Sequence, residues 1–229
     1  MISTSQLKEY RGLYRGEQIY VGVDTSFGCG DESVAQFFSS KRFDFPLVYG
    51  TPMIATEMTD ELFPILNYVY DETGVIPLVA YERQNGGAFE MERLAKLNKG
   101  GKFDIFRNLI TDADGKIKKS DKLGWDTNTQ TRPQMLGHLK EAVDSKLIHI
   151  YDVKTIEQMF SFVRVQHSNA IKAEAERNAH DDYVMALAIA YEMYLIYPEL
   201  GQQSDYAQRV AAHARRQEAA QSHGAGGYG

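Results

Sequence analysis

Cysteine is almost absent: Cys29 stands alone in 229 residues. One thiol excludes an internal disulfide and a cysteine-rich zinc site. The six histidines, His138, His149, His167, His180, His213 and His223, show none of the close spacing of a zinc-ligand set. Positive charge is in deficit, with 25 Lys and Arg against 31 Asp and Glu, a formal net charge of −6. A chain that coats nucleic acid by bulk charge would be basic. Any nucleic-acid partner must therefore be met by a local basic patch or through metal ions held on acidic residues.

A long hydrophobic run is also missing. The amino end, Met1 to Lys8, lacks the apolar core of a signal peptide. The most apolar segment, 183–197, is interrupted by Glu192 and reads as a buried helix, so no membrane association is expected. Gly101-Lys102 and Gly115-Lys116 are the only Gly-Lys pairs, and neither is followed by the Ser or Thr of a phosphate loop.

What is present is ordinary for a globular domain, 43% hydrophobic and 24% charged. The run Ile19-Tyr20-Val21-Gly22-Val23 suits a strand buried on both faces, and it ends in a carboxylate, Asp24. Strands over 33–38 and 45–56, the latter bent at Gly50 and Pro52, make an antiparallel meander with it. A helix opens at Thr59-Asp60-Glu61 and closes at Gly74. The strand 75–81 then ends at Glu82, and a helix over about 88–97 and a short strand over 103–106 follow. Residues 111–131 form a long polar connection carrying Lys116, Lys118, Lys119 and Lys122, with Arg132 just beyond. Trp125 in this region reads as a packing anchor. A helix over 133–145, a strand over 147–151 and a helical or extended piece over 155–165 lead to the apolar helix after His180-Asp181-Asp182. Residues 1–17 read as a polar linker or extension, 18–200 as one domain, and 201–229, rich in Ala, Gln, Arg, Ser and Gly, as a flexible tail.

Two strands thus end in a carboxylate, and a third acidic site opens a helix. Singly, each has an ordinary reading. Asp24 can begin an Asx-turn, Glu82 can pair with a basic residue, and Asp181 or Asp182 can cap a helix. Together they suit another chemistry. Clustered carboxylates repel unless protonated or bridged by cations, and hard divalent ions prefer oxygen ligands.

The segments Val21-Gly22-Val23-Asp24-Thr25, 81–87 (YERQNGG), 124–133 (GWDTNTQTRP) and 180–190 (HDDYVMALAIA) resemble the nuclease domain of the large terminase subunits of tailed bacteriophages. The resemblance spans residues 19–197. It implies an α/β, RNase H-like fold, with a central mixed sheet of an antiparallel meander plus parallel strands, flanked by helices. Asp24, Glu82, Asp181 and Asp182 map onto the family's acidic metal ligands, for Mg²⁺ or Mn²⁺, two ions. The implied activity is endonucleolytic cutting of concatemeric viral DNA during genome packaging, in the host cell cytoplasm. The implied partners are double-stranded DNA, a terminase ATPase domain, the small terminase subunit and the portal protein. The lysine group with Arg132 is expected on the DNA backbone, and His180 as an orienting residue. The family's ATPase has no counterpart here, so an excised domain or a separate nuclease polypeptide is expected. A junction-resolving nuclease of the same fold and a non-catalytic portal-docking module are the alternatives.

Overall fold

The computed structural model describes residues 6–28, 30–111, 116–166 and 181–198. The first core strand is β2 (Ile19–Asp24), buried at all six positions as its unbroken apolar run requires. It pairs antiparallel with β3 (Ser33–Ser39), which pairs antiparallel with β4 (Asp44–Thr51). On its other edge β2 meets β5 (Leu78–Tyr81) in parallel, followed by β6 (Asp104–Ile105), also parallel. With β1 (Leu7–Glu9) at the far edge, the sheet order is β1-β4-β3-β2-β5-β6. The expected mixed sheet, meander plus parallel strands, is present.

Strand alternation sends side chains to two cores. Ile19, Val21 and Val23 pack with Leu62, Leu66, Met91 and Leu94 of α1 (Ala55–Thr73) and α2 (Gly87–Leu97). On the opposite face Tyr20 and Phe38 pack with Leu139 of α3 (Thr131–Asp144) and with Leu187, Tyr191 and Tyr194 of α5 (Asp182–Ile196). Helix α4 (Val153–Gln166) packs beside α5. Helix α5 is apolar nearly all round because it is buried from Tyr183 to Tyr194. Its one buried acid, Glu192, is met by His138 Nδ1 at 2.9 Å. Trp125 is buried against Phe106, ring centroids 5.7 Å apart, as a packing anchor.

Several elements differ from the sequence reading. Residues 6–17 do not trail from the domain. Leu7–Glu9 pairs with β4, and Arg11 donates to Asp44 at 2.6 and 2.7 Å and to Glu17 at 2.6 Å. Helix α1 begins at Ala55, four residues before the Thr-Asp-Glu signal, so 52–56 is not strand. Part of the 111–131 connection is strand: β8 (Ile117–Leu123) pairs antiparallel with β7 (Arg107–Thr111). Residues 147–151 form no strand but a single bridge, His149 to Asp44. The tail beyond 198 lies outside the described residues, and no described helix is long and apolar enough to cross a membrane.

Candidate metal centre

Asp24 and Glu82 are neighbours because of strand register. Val23 is aligned with Tyr81 in the parallel β2–β5 pair, and the Glu82 N–H donates to Val23 O at 2.7 Å, carrying the ladder one step further. Alternation then fixes the face: Tyr20 and Gly22 lead to Asp24 on the α5 side, as Leu78 and Ala80 lead to Glu82. Gly22 lets the helix come close. A Cβ there would stand 2.1 Å from Ala186 O and 2.5 Å from Ala190 N, both backbone atoms of α5. The amino end of α5 therefore arrives over the strand ends bearing Asp181 and Asp182. Asp181 occupies the N-cap position but makes no side-chain cap bond, so helix capping does not account for it.

The turn after Glu82 is equally tight. A Cβ on Gly87 would fall 1.8 Å from Glu82 O. Gln84 Nε2 donates to Thr127 O at 2.9 Å, which ties this turn to the segment leading into α3. Between these elements lies a cleft of about 780 Å³, lined by Asp24, Glu82, Asp181, Asp182 and Arg132 among others.

Asp24 and Glu82 are 6% and 7% exposed, so little water screens them. Burial first, then the charge of Glu82 and a hydrogen bond with it, then Asp182 and Asp181, push the Asp24 carboxyl well above the usual carboxylate range. Two other carboxylates have found donors: Arg132 forms an ion pair with Asp181, and the Glu32 N–H donates to Asp182 Oδ2 at 3.1 Å. As the side chains stand, no three acidic, imidazole or thiol groups among the described residues form a ready metal cage. The donor set is nevertheless all oxygen and acidic, and burial with the charge of Glu82 raises the Asp24 carboxyl. The buried Thr127 hydroxyl at the cleft has no hydrogen-bond partner among the described residues. These features fit a hard divalent cation.

The remaining expected site residues fall elsewhere. Lys116, Lys118, Lys119 and Lys122 are exposed on or beside the β7–β8 hairpin and do not line the cleft. Lys119 Nζ lies 5.6 Å above the Tyr197 ring, and Lys122 is 3.9 Å from Asp126. His180 lies outside the described residues. The structure adds cleft residues that the sequence reading passed over: Asp31, Gln84, Asn85, Thr127 and Asn128. A usable signal existed for Gln84, Asn85, Thr127 and Asn128, which stand inside the two motif segments.

No protein-family model and no curated protein matches the chain. Solved structures do. The large terminase nuclease of the thermophilic phage G20c, solved with bound cobalt, superimposes with a TM-score of 0.55 at 16% identity, covering 82% of this chain and 88% of that one. The large terminase nuclease domain of Thermus phage P74-26 gives 0.51 at 13% identity, over 82% and 85%. The Mn-soaked, inhibitor-bound nuclease domain of human cytomegalovirus terminase gives 0.50 at 12% identity, over 79% and 84%. The chain carries the RNase H-like fold of the large-terminase nuclease domains.

Proposed function

We propose that this protein is a metal-dependent DNA endonuclease that cuts concatemeric viral DNA during genome packaging. The observation carrying this reading is the convergence of Asp24, Glu82, Asp181 and Asp182 on one cleft of a terminase-nuclease fold. Those four residues would hold two Mg²⁺ or Mn²⁺ ions. Such ions, when bound, supply an activated water nucleophile and charge stabilisation at the leaving 3′ oxygen of a phosphodiester. The chain's own part is placement. The β2–β5 ladder fixes Asp24 beside Glu82, and α5 holds the Asp181-Asp182 backbone over them. Arg132 meets a DNA phosphate at the cleft, and the hairpin lysines meet backbone farther out.

By the same reading the substrate is double-stranded DNA in the host cell cytoplasm, and the partners are a terminase ATPase domain, the small terminase subunit and the portal. Supercoiled plasmid incubated with the protein should pass to nicked and linear forms in Mn²⁺ and stay intact in EDTA. Intact plasmid in both conditions counts against it. The portal-docking alternative draws on one observation, the lack of a ready metal cage among the described residues. Portal binding without cutting is the result it needs.

A further inference from the structure

The cleft is charged unevenly. Asp24, Asp31, Glu82, Asp181 and Asp182 line it, and Arg132 is the one cationic side chain among the described residues that do. That guanidinium does not point idly into solvent. It pairs with Asp181, at the mouth of the cleft, where the two side chains are 38% and 23% exposed. The Asp181 carboxylate is thereby engaged by a cation of the protein's own. Arg132 sits in the first turn of α3, whose entry is pinned to the loop before it by the Arg132 N–H to Asn128 O at 3.0 Å and Thr131 Oγ1 to Asp126 O at 2.8 Å. The backbone is thus fixed, and the long side chain is the part free to change partner.

Resting on the nuclease reading, we infer that Arg132 is a resident counter-cation for Asp181, exchanged for a divalent ion on metal loading and thereby handed to a DNA phosphate. The exchange is favoured by charge, since a divalent ion would bring two positive charges to a cleft lined by five carboxylates where the guanidinium brings one. It is also easy, because an ion pair this exposed to water is weak. Once released, the planar fork suits two phosphate oxygens, where in the ion pair one of its nitrogens meets one oxygen of Asp181. Coupling between two ligands is reciprocal. Metal binding frees Arg132 for DNA, and DNA, by capturing Arg132, tightens metal binding by the same factor. The ion is held firmly only when substrate is present.

Calorimetric titration of Mn²⁺ into the whole chain, alone and with a phosphorothioate duplex that resists cutting, tests this. Arg132→Gln should bind Mn²⁺ roughly two- to fivefold more tightly than wild type without DNA, because the competing cation is gone. It should also bind duplex more weakly and lose most of the tightening of Mn²⁺ by DNA that wild type shows. Arg132→Lys, which keeps the charge without the fork, should fall between the two, and it serves if the Gln variant fails to fold. A merely structural arginine gives the opposite sign, with metal binding unchanged or weakened on substitution. That result, in a wild type that binds Mn²⁺ and cuts plasmid, overturns the exchange and leaves the nuclease reading standing. A wild type that neither binds Mn²⁺ nor cuts overturns both.

Discussion

At the scale of single residues, everything turns on Asp24. Burial and three neighbouring carboxylates hold its carboxyl well above its ordinary 3.8. The consequence for stability follows by linkage. A group whose folded pKa is raised contributes stability that is fully present below the unfolded pKa and is lost as pH rises through the folded one. In EDTA the protein should therefore lose melting temperature as pH climbs above about 4 toward the folded pKa, and Asp24→Asn should flatten that decline. Melting curves across pH measure it, and a wild-type curve as flat as the variant's would contradict the assignment of Asp24. On activity, Asp24→Ala, Glu82→Ala and Asp182→Ala should each remove plasmid cleavage, at least 100-fold if the carboxylates hold the ions, while the protein stays folded. Near-normal cutting by any two of them would dismantle the proposed centre. These residues were legible because each ends a strand or opens a helix, positions the hydrophobic pattern marks. The Arg132–Asp181 ion pair was not legible, since nothing in the spacing of 132 and 181 says they meet.

At the scale of elements, the sequence was easiest to read where burial was complete. Strand β2 announces itself as an apolar run, and α1 ends where Gly74 enters the left-handed region at φ 68°. Helix α1 starts earlier than its Thr-Asp-Glu signal because Ile54 leads into it in an extended conformation, with no side-chain cap at all. The β7–β8 hairpin escaped notice because its lysines face water and leave no alternation to detect. The amino-terminal strand escaped for another reason. Its anchoring is ionic: Arg11 bridges Glu17 and Asp44, themselves 0% and 3% exposed, and Glu17 also accepts from Ser39 Oγ at 2.5 Å. Hydropathy registers only scattered apolar residues there, Leu7 and Leu13 among them. Removing one member of a buried network strands the others, at about 3–5 kcal/mol. Arg11→Ala should accordingly cost about that much in urea unfolding. A loss below about 1 kcal/mol would mean that β1 and the loop after it are not integral to the sheet.

At the scale of the whole molecule, an acidic chain must meet a polyanion, and the charge has to be arranged for it. Acidic groups gather in the cleft, where divalent cations would reverse the local sign, and basic groups stand on the hairpin. Neutralising Lys118, Lys119 and Lys122 together should weaken duplex binding and flatten its salt dependence. Each phosphate that the protein no longer neutralises lowers the slope by about one unit. Binding titrations over a range of salt measure this, and an unchanged slope would place the DNA on another face. The antiparallel meander was legible from apolar runs joined by short turns, whereas the parallel pairing and the flanking placement of the helices were expected only from the family resemblance. The meeting of residues 24, 82 and 181–182 had to come from topology: the parallel β2–β5 register and the close approach at Gly22 bring them together.

The central claim is that this cleft holds a divalent cation on Asp24. A cation that binds only the folded state stabilises it by RT ln(1 + [L]/Kd), about 2.7 kcal/mol at a hundredfold excess over Kd. For a domain of this size that raises the melting temperature by several degrees. Melting wild type and Asp24→Asn in EDTA and in saturating Mn²⁺ measures it directly. The account predicts a rise of that size for wild type and a much smaller one for the variant. No shift in wild type, or a full shift in Asp24→Asn, would contradict it.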